Sequence, residues 1–265
     1  MDRYVRLNRE LWDEWTAINY RSEFYDVAGF IANPSPLNEI VRAGLGELAG
    51  KSVLHLQCHF GMDTLRIGKE AEQVTGVDFS PKAIKYARAL SERVGIAATL
   101  IEADVYELVA KLTGEFDIVF TSYGVLGWLP DLGRWAQVVA GFLRRGGHFF
   151  IADAHPLIWM FDDNAPELAV RYTYFAQPEP LILPAPSYTD PTATVTNSQH
   201  VFAQGLEEIL TSLRGAGLQI DEFRERAHVV WKAFPFLVEE QPRRWVMPPD
   251  RPRIPVVFSL RASKP

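Results

Sequence analysis

The 265-residue sequence contains one cysteine, Cys58. A single thiol forms no intrachain disulfide and no multi-cysteine metal site, which argues against dithiol redox chemistry. Histidine is also sparse, with six in the chain, and none stands with carboxylates at ligand spacing, so no metal is expected. There is no basic run. The 27 Lys and Arg are outnumbered by 33 Asp and Glu, for a net charge of -6, which leaves no electrostatic grip on nucleic-acid phosphates. No apolar stretch reaches membrane-spanning length, and the N-terminal MDRYVRLNRELWDEW is charged in every turn, unlike a signal peptide. The expectation is a cytoplasmic protein whose partner is a small molecule, neither nucleic acid nor membrane. Internal repeats and low-complexity tracts are missing too. Proline is scarce early and dense late: fourteen of the 18 lie from Pro156 onward.

What the chain does have is apolar content, 48%, enough for one large α/β core with additions. Apolar strands alternate with helical patterns between 50 and 155, the sign of parallel strands joined by crossovers. Strands are expected at 52–56, 73–78, 97–102, 116–122 and 147–153. After the second, Ser80 caps a helix, Pro81 suits its first position, Ile84, Ala87, Leu90 and Val94 share a face, and Gly95 ends it. Asp131 opens the fourth crossover helix, and Gly146 with Gly147 stop the chain before the fifth strand. Leu206, Ile209 and Leu213 stripe a late helix, followed by LQIDEFRER and, past a Pro-rich loop, IPVVFSLRA, a hairpin-like pair. The expected fold is α/β: a Rossmann-like doubly wound sheet of about seven strands, mostly parallel, with an antiparallel C-terminal hairpin strand. Leu7, Leu11, Trp15 and Ile18 share one helical face near the start, and Tyr20, Phe24, Tyr25 and Phe30 follow. The chain thus divides into an aromatic helical cap at 1–48 and a main domain at 49–265, with 156–203 inserted as a substrate cap.

Residues 51–80, KSVLHLQCHFGMDTLRIGKEAEQVTGVDFS, read as strand, turn, helix and second strand. Gly61 breaks the backbone where the helix must begin, and Asp78 ends the second strand. Open parallel sheets bind ligands at the carboxyl ends of their strands, where such a carboxylate can take both hydroxyls of a ribose. Four successive strand ends, VLHLQCHFG, GVDFS, EADVY and FDIVFTSYGVLGWLPDL, match in order and spacing those of class I S-adenosylmethionine-dependent methyltransferases, and over about 50–155 the chain resembles that family. It departs from the pattern in the first turn: His55 replaces an acidic residue, while Gln57 and His59 replace glycines. Larger side chains can serve there if their backbone stays out of left-handed conformations, and both would then project toward the pocket.

The resemblance implies S-adenosylmethionine as cofactor, S-adenosylhomocysteine as product and a small, apolar or aromatic acceptor. It implies a cofactor site of Gln57, Cys58, His59, Gly61, Asp78 with Phe79, Asp104 with Val105, and Thr121, Ser122 and Tyr123, with Tyr25 from the cap. Asp104 would accept from the adenine amino group; otherwise it caps a helix over 106–112. Asp63 and Thr64 either cap the first helix or order the methionine end of the cofactor. Tyr123, Trp128 and Tyr25 offer aromatic faces to a sulfonium. As catalytic residues, His155 in ADAHP, His59 and Tyr123 are the candidates, because methylating a hydroxyl or protonated amine requires removal of a proton. His155 is alternatively a hydrogen-bonded lead into the turn at Pro156, and His200 is a weaker candidate. Two other functions fit the same pattern: a noncatalytic protein that binds the cofactor or nothing, and a nicotinamide dehydrogenase, which would need more glycines than LQCHFGMD offers.

Overall fold

A computed structural model describes residues 2–265. Twelve strands are present among them: β1 Ser52–Leu56, β2 Gln73–Asp78, β3 Thr99–Glu102, β4 Phe116–Ser122, β5 Leu143–Ala154, β6 Leu181–Leu183, β7 Gln199–Val201, β8 Gln219–Arg226, β9 His228–Val229, β10 Val238–Gln241, β11 Arg244–Val246 and β12 Val257–Ser263. Seven form one sheet in the order β3-β2-β1-β4-β5-β12-β8. β3 to β5 pair in parallel, and β12 runs antiparallel between β5 and β8. The order reverses between β1 and β4, the switch point at which open α/β sheets bind ligands. The late hairpin-like pair is thus β8 with β12, and the Rossmann-like α/β fold stands as expected.

Helices α1 Arg3–Asn19, α2 Val27–Ala32, α3 Glu39–Leu45, α4 Met62–Gly68, α5 Pro81–Val94, α6 Leu132–Phe142 and α7 Leu206–Gly215 surround the sheet. Trp135, Val139 and Phe142 of α6 and Ile209 and Leu213 of α7 bury one face. Ile40, Val41 and Leu45 of α3, with Ile67 of α4, bury the other. The caps are those legible in the sequence: the Ser80 side chain accepts from Ala83 N at 2.9 Å, Gly95 is left-handed beyond α5, and Asp131 accepts from Arg134 N. β5 corrects its expected start, because Leu143 follows α6 directly into the strand and the two glycines sit inside it, at a register shift between β4 and β5.

Two elements were not expected. Residues 228–246, read as Pro-rich loop, contain the antiparallel ribbon β10-β11-β9, and the insertion carries the β6–β7 pair. α1 lies along that insertion. Its buried face is not purely apolar: Leu11 and Trp15 are joined there by Asn8 and Asn19. Asn8 exchanges hydrogen bonds with the His200 backbone at 2.8 and 3.0 Å, and Asn19 Oδ1 accepts from Ser187 and Thr189. Both amides serve backbone or hydroxyl groups that would otherwise be unpaired.

The approach of α3 to β5 is close enough to predict a cost. A methyl on Gly44 would fall inside the Phe150 ring, which is itself stacked on Phe120 at 6.2 Å. Gly44→Ala should destabilise by roughly 1–3 kcal/mol, read as a lower thermal midpoint; an unchanged midpoint would mean the interface yields freely.

Candidate functional site

The carboxyl ends of β1, β2 and β4 are knitted together by the residues that follow them. After Leu56 the chain turns through Gln57, Cys58, His59, Phe60 and Gly61, and three of these are left-handed: Gln57 at φ 56°, His59 at φ 52° and Gly61 at φ 78°. The two larger residues thus enter that region, against the condition drawn from the sequence, and such strain persists only where neighbours over-determine it. Here they do. Cys58 N donates to Val77 O at 2.9 Å, His59 N to Asp78 Oδ2 at 2.7 Å, and Gly61 N back to Cys58 O at 2.9 Å. Gln57 Nε2 donates to Val125 O, and Thr121 Oγ1 donates to Leu56 O at 3.1 Å, tying β1 to β4.

Asp78 is buried, and its two oxygens accept from Ser80 N and His59 N. Burial outweighs those donors and lifts its pKa to about 6. A carboxylate has about four acceptor positions, so Asp78 keeps capacity for a further donor beyond these backbone groups. Asp104 is arranged differently: Oδ1 accepts from Tyr106 N at 3.1 Å and caps the turn Val105–Ala110, whereas Oδ2 is buried without a partner. Burial raises this carboxyl as well. It lines a cleft of about 260 Å³ with Tyr106, Pro130, Asp131 and Arg134. An orphaned buried acceptor costs free energy unless a donor from outside meets it.

The remaining expected residues are placed as follows. Phe79 and Ser122 are half-buried and Val105 is buried. Asp63 pairs with Arg66 at 2.8 Å, and Thr64 is fully buried with Oγ1 2.9 Å from His55 Nδ1. Neither caps α4, whose N-cap is Gly61. Burial takes the His55 pKa down to about 4, so β1 carries a neutral ring at the position His55 takes in place of the acidic residue usual in the pattern. Tyr25 reaches His59, ring centroids 5.6 Å apart, and its hydroxyl lies 2.6 Å from that of Tyr188. Trp12 also packs on His59, at 5.1 Å, and on Trp128, at 5.5 Å. α1 and the insertion therefore roof the β1 end with aromatic rings.

His59 sits under that roof, and burial lowers its pKa to about 3. His155 caps the turn Pro156–Met160 through Nδ1, which accepts from Leu157 N at 3.1 Å. Its Nε2 lies 3.0 Å from Glu225 Oε1. Burial lowers this pKa despite Glu225. The Tyr123 hydroxyl donates to Asn38 Oδ1 at 3.4 Å, and its ring abuts Trp231. The strand ends thus gather Gln57, Gly61, Asp78 and Thr121, while the His155 ring is directed to β8 and the Tyr123 ring toward α3 and Trp231.

Two residues of this edge escaped sequence reasoning. Asp153, 2% exposed, accepts from the backbone N–H groups of Gly124, Val125 and Leu126 and so fixes the turn after β4. A lone acid inside the apolar run HFFIADA was its only signal. Asp13 of α1 accepts from Ser80 Oγ and Lys82 N, docking the N-terminal helix on the start of α5, and nothing local marks it. No group of three His, Cys, Asp or Glu able to hold a metal occurs among the described residues, and no described helix is long and apolar enough to cross a membrane.

Residues 53–147 match the family model described as a methyltransferase domain. Among curated proteins the chain is 30% identical over 152 residues to a ubiquinone biosynthesis O-methyltransferase of Cupriavidus pinatubonensis, covering 57% of each chain. It is 28% identical over 155 residues to the protein of that name from Ralstonia nicotianae, covering 58% of this chain and 60% of that one. The chain therefore spans about three fifths of the length of these relatives. Among solved structures, an S-adenosylmethionine-dependent methyltransferase from Mesorhizobium loti aligns over 90% of this chain and 100% of its own, with TM-score 0.59 and 22% identity. One from Clostridium acetobutylicum aligns over 93% and 94%, with TM-score 0.54 and 13% identity. The strand order and the switch point agree with these alignments: the chain has the fold of the solved S-adenosylmethionine-dependent methyltransferases, and its residues 53–147 match a methyltransferase domain.

Proposed function

We propose that the protein binds S-adenosylmethionine at the ends of β1 to β4 and transfers its methyl group to a small molecule. The observation that carries this is Asp104 Oδ2, a buried acceptor with no hydrogen-bond partner among the described residues, which an adenine amino group would satisfy. Asp78, a buried carboxylate with acceptor capacity left over, suits the ribose diol, and Gly61 lets the backbone come close. Bound there, the cofactor supplies an activated sulfonium methyl. Relatives named as O-methyltransferases favour oxygen as the receiving atom. The chain's own contribution is alignment and exclusion of water by the aromatic roof, since a ring held near pKa 3, as His59 is, accepts protons poorly at neutral pH.

Calorimetry with S-adenosylhomocysteine and with NAD tests the proposal. The first should bind and the second should not; the reverse result would move the chain to the dehydrogenases. Binding without transfer to any phenol or carboxylate would support a noncatalytic role, a second reading favoured by the rings that pack over His59.

A pH dependence follows from Asp78. Its folded pKa, about 6, lies above the unfolded value, so its contribution to stability is complete below the unfolded pKa and is lost as pH rises through about 6. Ligand binding has the opposite sign, because hydroxyl donors favour the ionised carboxylate. At pH 5 about one carboxylate in ten is ionised, so S-adenosylhomocysteine should bind roughly tenfold more weakly than at pH 8. A flat profile between those values would remove Asp78 from the ribose.

A further inference from the structure

A second cleft, of about 420 Å³, lies between the α1–α2 connection and the β9–β11 ribbon. Its walls are aromatic. Phe24 forms one side, and Trp231 and Trp245 belong to the other. Each side leads to a strand end of the cofactor site. Phe24 packs edge-on against Tyr25 at 5.1 Å, and Tyr25 packs on His59 beyond β1 at 5.6 Å. Trp231 packs edge-on against Tyr123 beyond β4 at 6.0 Å. β1 and β4 are neighbours in the sheet, so the two walls converge on adjacent tips.

The charges in the cleft are specific as well. Lys232 Nζ sits 5.4 Å from the Trp245 ring centroid, and the Arg243 guanidinium 5.4 Å from that of Phe24. These cations already use ring faces that would otherwise attract a cationic ligand. Arg243 is further committed, donating to Phe24 O at 2.9 Å. Of the two acids present, Asp26 is spent capping α2 through Gly29 N, and Glu23 is exposed. Lys232 is exposed and makes no ion pair with a carboxylate among the described residues. An ammonium beside an indole and without a carboxylate partner suits an anion.

We propose that this cleft holds the methyl acceptor, and that the acceptor is an aromatic ring carrying an anionic group, the ring against the two tryptophans and the anion on Lys232. The assignment as acceptor rests on the methyl-transfer reading, whereas the binding preference is a property of the cleft alone. Pockets of a few hundred Å³ with aromatic walls and one or two polar contacts are the usual form of small-molecule sites.

The test is calorimetry with 6-hydroxy-2-naphthoate, its neutral amide and cyclohexanecarboxylate, each titrated with and without S-adenosylhomocysteine. The naphthoate should bind more tightly than either comparison compound, and Lys232→Gln, an exposed position that leaves the core intact, should weaken it roughly fivefold. Trp245→Ala should weaken the acid and the amide alike. Equal binding of acid and amide, an unchanged Lys232→Gln affinity, or no naphthoate binding to the native protein would overturn the proposal. Should naphthoate bind as expected while S-adenosylhomocysteine does not, the cleft stands as an aromatic-anion site and the methyl-transfer reading fails. The opposite pair of results leaves the cofactor reading intact and discards the cleft.

Discussion

Asp153→Ala should lower the free energy of unfolding by about 3 kcal/mol or more, the largest loss expected from any single truncation at the strand ends. The carboxylate is buried on β5 and accepts from the N–H groups of Gly124, Val125, Leu126 and its own neighbour Ala154. Removing it strands several donors at once, in a turn where Tyr123 is already held at φ 37°. Burial raises the carboxyl pKa against those donors, which marks the site as one where desolvation is expensive and truncation cannot be repaired by water. Asp153→Asn keeps an acceptor and should cost markedly less. Urea unfolding of both variants measures the difference, and a loss below about 1 kcal/mol for the alanine variant would show that the turn re-forms without its anchor.

Asp78→Asn should separate binding from stability. The native carboxylate is held in a site that raises its pKa to about 6, a penalty the free protein carries at neutral pH. Asparagine relieves that penalty but turns its NH2 toward one of the two N–H donors that the carboxylate serves, so the thermal midpoint at pH 7.5 should fall only modestly. The loss of affinity should be the larger effect. Two charge-assisted hydrogen bonds to a diol are worth about 2–3 kcal/mol together after allowance for the acceptor that asparagine retains, so S-adenosylhomocysteine should bind roughly thirty- to a hundredfold more weakly. A variant that loses stability and keeps affinity would recast Asp78 as a brace for the β1 turn, through His59 N and Ser80 N.

The parts of the fold legible in the sequence were those in which a local signal and the tertiary demand coincide. Ser80, Gly95 and Asp131 cap as their residue types favour, and the apolar runs of β1, β2 and β4 are buried as parallel strands must be. The ribbon β9–β11 was not legible, because strands of two to four residues rich in exposed charge, such as Val238–Gln241, carry no period to read. The left-handed Gln57 and His59 were hidden for a different reason: what holds them is the hydrogen bonding of Asp78 and Val77 across the sheet, a contact between residues some twenty positions apart. The placement of Asp78 and Asp104 at one edge was readable because strand topology alone puts both there. The directions of the His155 and Tyr123 rings were not, since Glu225 and Trp231, which lie beside them, come from the far end of the chain.

The strand ends bearing Gly61, Asp78 and Asp104 should surround one adenosyl group. A crystal structure of the protein with S-adenosylhomocysteine tests this most directly. The adenine amino group should lie within hydrogen-bond distance of Asp104 Oδ2, and both ribose hydroxyls on Asp78. Nucleoside density anywhere else, with Asp104 Oδ2 still unpartnered, would contradict it.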